Sequence, residues 1–213
     1  MPFTLQHSIF EIQRKWLPVR TLDLLMDIEY RDQFVRRLQT VHGLYYEACD
    51  TMTQEQVNYV EKPGVLPIAF SLVHIVLMVD STLWIAGGPA PLFNEEWAKK
   101  MGLAIADHGK ELSVDEMMHQ KIGDFEEFKK FMRLVFTNTE NFIGSIEPAD
   151  FSRVLLTYPY PEKVAKTFSA RMGREDGITV SIGMECWVYQ HLLRHMGEIE
   201  HARGLVGLEG MTS

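Results

Sequence analysis

Residues 66–84 read LPIAFSLVHIVLMVDSTLW, and the reading of this stretch decides the fold. Its heart, VLPIAFSLVHIVLMV at 65–79, is almost wholly apolar. That run is about 15 residues long, short of the roughly 20 that a membrane span needs. Asp80 and Ser81 end it, and His74 stands in its middle. A helix that is apolar on every side belongs inside a packed helical domain. The pattern predicts a helix over about 66–86, stopped by Gly87-Gly88-Pro89.

Three further stretches read as long helices. TLDLLMDIEYRDQFVRRLQTVHGLYYEAC at 21–49 has no internal proline and recurring apolar residues, with Thr21 as a fitting N-cap. DFEEFKKFMRLVFTNTENFIGS at 124–145 opens on Asp124, a capping residue, and Glu126 and Glu127 suit its N-terminal dipole. TVSIGMECWVYQHLLRHMGEIEHARG at 179–204 closes on Gly204. Strand signals are few and short: SRVLLTY at 152–158 and GITVSI at 177–182. Long connections at 87–123 and 146–177 permit crossovers, so simple up-down-up-down order is not required. A short helix fits NEEWAKKMGL at 94–103. The expected fold is all-α: a four-helix bundle with long crossover connections. It forms one domain over 1–213, with an N-terminal extension over about 1–20.

Composition narrows the function. The net charge of −8 argues against nucleic acid or a membrane surface as partner, since both demand a basic footprint. Two cysteines, Cys49 and Cys186, make no disulfide framework, so a reducing cytoplasm is the expected location. The N-terminus shows no signal-peptide pattern. The sequence carries no phosphate-binding glycine loop and no dinucleotide fingerprint.

The chemistry gathers on histidines. In WVYQHLLRHMGEIEHARGLVG, residues 187–207, His191 and His195 lie four apart. On a wheel of about 100° per residue with His191 at zero, His195 falls at about +40° and Glu198 at about −20°. Met184 and Val188 share that stripe, whereas His201 falls at about −80° and Cys186 at about −140°. Cβ atoms four residues apart on a helix are about 5–6 Å apart, so two imidazoles can share one ion. His74 is the natural third donor, with Phe70, Ser71 and Met78 on its own helix face. Three nitrogens leave a position open for water or substrate. Imidazole suits Zn, Ni and Fe alike, so one divalent ion is expected without a choice among them.

Other readings compete. Leu192 follows His191, where the zinc-protease helix motif has its general-base glutamate. Glu198-Ile-Glu-His201 and Glu116-Met-Met-His119 match the Glu-x-x-His element of di-iron bundles. Against a di-iron site, the second helix offers no Glu, and Glu116 lies in a polar connection. Cys186 reads as a buried, inert thiol. His7, His42 and His108 read as surface or partly buried residues. A non-catalytic bundle that binds a small ligand or forms a homodimer is the alternative from another class.

At this point the chain resembles the DinB-like superfamily of four-helix bundles. The resemblance rests on LPIAFSLVHIVLMVDSTLW, with His74, Asp80 and Trp84, and on HLLRHMGEIEHARGLVGL. The second is similar to the family's H-x-x-x-H-x-G-[QE]-[IL] signature and its Arg-Gly-Leu close. MTQEQVNYVEKPGVLPIA at 52–69 resembles the family's lead into its second helix. The likeness spans roughly residues 20–207. It implies His74, His191 and His195 as metal ligands, and orienting or water-positioning work for Glu198. It also implies a metal-dependent enzyme acting on a small-molecule substrate, with a low-molecular-weight thiol as co-substrate: an S-transferase or a hydrolase.

Overall fold

The computed structural model describes residues 19–211, with side chains from residue 28 onward. Most of the N-terminal extension, with His7 and the signal-peptide reading, lies outside the described residues. Helix dominates. α1 runs Val19–Asp50, a one-turn α2 covers Gln54–Val57, and α3 spans Ile68–Ile85. α4 (Glu95–Met101) and α5 (Val114–Met117) sit in the first long connection, and α6 covers Phe125–Ser145. The second connection holds a 3-10 turn (Pro148–Ser152), β1 (Val154–Leu156), α7 (Glu162–Ala165), α8 (Phe168–Gly173) and β2 (Ile178–Thr179). The last long helix has three parts: α9 (Val180–Gly183), a π-helical turn (Met184–Tyr189) and α10 (Gln190–Leu205). Helical backbone at Gly183, Met184, Tyr189 and Gln190 joins them without a break.

α6 shows how sequence sets packing. Phe125, Phe128, Phe131, Met132, Val135, Phe136 and Ile143 recur at three- and four-residue spacing, and all are buried. Asp124 caps the helix by accepting the Glu127 N–H at 3.0 Å, as its position in the sequence predicts. α3 is apolar on most sides because it is covered on most sides, with Trp84 and Ile85 exposed at its end. Ile68 to Val73, Ile75 to Leu77, Val79, Asp80, Thr82 and Leu83 are buried. α3 is, among the described residues, the one helix long and apolar enough to cross a membrane, and most of it is enclosed by protein. The long helices close a ring of contacts: α1 on α6, α6 on α3, α3 on the last helix, and that helix on α1. Thr21, expected as a cap, lies inside α1, which already runs from Val19.

The first connection is tied to α3 and its neighbours by side chains that imitate backbone. The buried Asp80 carboxylate accepts the N–H groups of Leu92 and Phe93 at 3.0 and 2.8 Å. Gln120 both donates to and accepts from the Ile105 backbone, and Asn58 does the same with Ile122. The contact with the middle of α3 is made by the His108 carbonyl, which meets the His74 ring. In the second connection β1 and β2 pair antiparallel, with Val154 opposite Thr179 and Leu156 opposite Ile178. The second strand is shorter than GITVSI suggests. The Thr179 side chain accepts the Ile182 N–H and starts the last helix there.

Candidate metal centre

The three histidines named from sequence converge. His74 from the middle of α3 faces His191 and His195 from the start of α10, and the ligand atoms of all three lie within 4.8 Å of one another. Ring centroids are 5.3 Å apart for His74 and His191, and 4.9 Å for His74 and His195. All three are half-buried.

Two of the rings have a hydrogen-bond acceptor at Nδ1. His74 Nδ1 donates to the His108 carbonyl at 2.5 Å. His195 Nδ1 donates to the Glu198 carboxylate at 2.7 Å. The Trp187 carbonyl lies near the His191 ring and favours its protonated form. Glu198 also accepts the Ser71 hydroxyl of α3 at 3.1 Å, which fixes its carboxylate between two helices. Such acceptors decide which nitrogen keeps its proton and leave the other as a free lone pair.

The consequence is visible between His191 and His195, whose Nε2 atoms stand 3.0 Å apart. With its proton on Nδ1, His195 turns an Nε2 lone pair toward His191. With His74 beside the pair, this donor set fits a divalent ion at metal–nitrogen distances of about 2.0–2.1 Å. Electrostatics agree. Burial pushes the His74 pKa down, and burial with the neighbouring His195 and His74 takes His191 to about 3. Both rings are therefore neutral at pH 7, the form that ligates metal. The hydrogen bond from His195 holds Glu198 below its ordinary value, as a carboxylate.

A loop turn makes the His74 contact. Gly109 has φ +70°, and a Cβ there would sit 2.6 Å from the Phe70 ring. Phe70 in turn stacks on His74, with centroids 5.6 Å apart. The bare glycine lets the loop press against α3 and bring the His108 carbonyl onto the imidazole. His108 thus acts through its backbone, a role its side chain does not advertise.

His74 and His191 open onto a cavity of about 610 Å³. The second connection supplies much of its wall, including Leu156, Val164 and Phe168. Trp187 donates to Ser169 at 2.9 Å and holds this wall against the last helix. Cys186 also lines the cavity, although the 100° wheel turns it away from His191. The π-helical turn accounts for the difference. Its i→i+5 bonding stacks residues about five apart, and Cys186 is five before His191. Burial nevertheless raises the Cys186 thiol to about 11, and it donates to Met172 Sδ at 3.5 Å.

The remaining candidates lie elsewhere. His201 is exposed and lines a smaller cavity of about 370 Å³ with Ser71 and Glu198. Glu116 spends its carboxylate on Ser113 in a capping box, and His119 is exposed. Among the described residues, only His74, His191 and His195 form a group of three or more metal-donor side chains close enough to share an ion. His42 is fully buried rather than partly so: it stacks on Phe136 and bonds Glu140 at 2.7 Å.

In comparisons with known proteins, no family model matches the chain, and no curated protein matches it. Among solved structures, it is similar to a conserved protein of locus from Enterococcus faecalis, with a TM-score of 0.64 and 13% sequence identity. The match covers 82% of this chain and 95% of that one, and supports the helical fold alone.

Proposed function

We propose that this chain is a metal-dependent enzyme in a four-helix bundle of the DinB-like type, with long crossover connections. His74, His191 and His195 hold one divalent ion. The observation that carries the reading is the convergence of three imidazoles, with the Nε2 atoms of His191 and His195 3.0 Å apart and the His74 ring beside them. A divalent ion so placed acts as a Lewis acid and lowers the pKa of a water or thiol presented to it.

The chain's own groups do the positioning. Glu198 orients His195 and, as a carboxylate, can take a proton from a group arriving beside the site. The His108 carbonyl holds the His74 ring. The cavity admits a small-molecule substrate to His74 and His191, and its walls restrict water. Thiol transfer or hydrolysis is the proposed reaction class, resting on the resemblance of the histidine motifs. Both described cysteines are free, in keeping with a reducing cytoplasm.

The test is a panel of low-molecular-weight thiols with organic electrophiles, alongside hydrolytic substrates. Turnover should depend on added Zn, Ni or Fe and vanish in His191→Ala. Turnover that survives full chelation would remove metal from the reaction. A metal-loaded protein inert across the panel would count against enzymatic thiol transfer and hydrolysis.

A further inference from the structure

We propose that the cavity beside His74 and His191 selects a small organic anion, a carboxylate or phosphate head on an apolar body, through Lys110, Lys166 and Arg194. The inference deepens the metal-site reading by naming the charge of the substrate. Its recognition groups, however, are separate from the three histidines.

The charge distribution is the first ground. Acidic residues outnumber basic ones across the chain, 29 to 21. The cavity reverses this: Lys110, Lys163, Lys166 and Arg194 line it, and among the described residues no Asp or Glu does. Lys163 is paired with Glu111 at 3.0 Å. Lys110, Lys166 and Arg194 make no ion pair among the described residues, and all three are exposed. They also come from three separate parts of the chain. Lys110 follows the His108–Gly109 turn, Lys166 ends α7, and Arg194 lies three residues after His191 on α10. Cations that line one cavity without ion-pair partners make its potential positive and favour an anion there. Arg194 offers a planar fork suited to carboxylate or phosphate oxygens.

The apolar surface is the second ground. Met78, Ile85, Leu156 and Trp187 line the same space, and Phe168 stands 53% exposed at its edge. A volume of about 610 Å³ lies within the range that holds a drug-sized ligand. An inorganic anion leaves these walls unused, and a neutral hydrocarbon leaves the cations unused. A ligand with both parts uses the whole surface.

Calorimetric titration with octanoate, octyl phosphate and neutral octanamide tests this, on protein in both metal-loaded and chelated form. At least one anion should bind about tenfold tighter than octanamide in both forms, a gap of about 1.4 kcal/mol. Comparison of the two anions identifies the preferred head group. In Lys166→Ala/Arg194→Ala the gap should close while octanamide affinity stays unchanged. Should that variant lose its helical circular dichroism, raised salt on the unmutated protein serves instead, weakening only the anions. Equal binding of anions and amide, no binding of any probe, or a gap that survives both variant and salt would overturn the proposal. A gap present only with metal would also overturn it, since the ion and not the cations would then attract the anion. A gap in protein that takes up no metal would uphold it while removing the metal-site reading.

Discussion

The Nε2 atoms of His191 and His195 face each other at 3.0 Å, while His195 gives its Nδ1 proton to Glu198. Two neutral imidazoles held this way put two nitrogens within reach of one cation. Spacing on one helix turn brings the rings together, and the acceptor behind His195 decides which of its atoms meets His191.

Glu198 should therefore govern metal affinity without being a ligand. Glu198→Ala is expected to weaken binding by about 10–100-fold, the usual effect of removing a partner that orients a ligating histidine. Glu198→Gln should fall in between, because its amide oxygen still accepts from His195. Competition against a chelator of known affinity measures both. An affinity unchanged in Glu198→Ala would show that His195 needs no such support.

The loop contact separates backbone from side chain. His108→Ala should bind metal nearly as well as the unmutated protein, since the contact to His74 comes from the carbonyl. Gly109→Ala should bind more weakly and melt lower. It places a Cβ against Phe70 and forces a non-glycine residue to φ +70°. If His108→Ala lost affinity and Gly109→Ala kept it, the imidazole of His108 rather than its carbonyl would be the working group.

The metal-free protein should lose stability in acid, with a defined sign. Burial holds His74 low and His191 at about 3, whereas the unfolded chain binds those protons near 6.5. Below 6.5 the unfolded state binds more protons, so stability is full above that pH and is lost as pH falls toward the folded values. The melting temperature of chelated protein should fall between pH 7 and pH 4.5, and the fall should be shallower in His191→Gln. Parallel pH profiles for the two proteins would contradict the assigned burial of His191.

Asp80 is a test of the scaffold. Asp80→Ala leaves the N–H groups of Leu92 and Phe93 without their acceptor. A fully buried group so stranded costs about 1–3 kcal/mol, and these half-buried ones should cost less. Proteolytic cleavage within 87–94 should accelerate in this variant. Cleavage at the unmutated rate would mean that the connection is held by other contacts.

Much of this was legible in the sequence, and the exceptions have physical causes. The period of Phe125 to Ile143 specifies one buried face, and α6 buries that face. The apolar run around His74 specifies a buried helix, and α3 is one. His191 and His195 share a face because four residues make about one turn. Cys186 is a buried thiol outside the histidine group, as the sequence suggests, but its place in the cavity wall is not read from a uniform wheel, because the turn at Met184–Tyr189 is π-helical. The acceptor behind His74 is a backbone carbonyl, which every residue carries and no side chain announces. The cationic cavity wall draws on Lys110, Lys166 and Arg194 from distant segments, so only the folded chain shows them together.

The central claim is that three imidazoles hold one ion, and metal stoichiometry tests it most directly. Protein stripped of metal and resupplied in turn with Zn, Ni and Fe, then desalted, is measured by elemental analysis beside His195→Ala and His201→Ala. The account predicts close to one equivalent of at least one of these metals in the unmutated protein and in His201→Ala, and almost none in His195→Ala. No uptake of any of the three metals by the unmutated protein, or full uptake by His195→Ala, would contradict it.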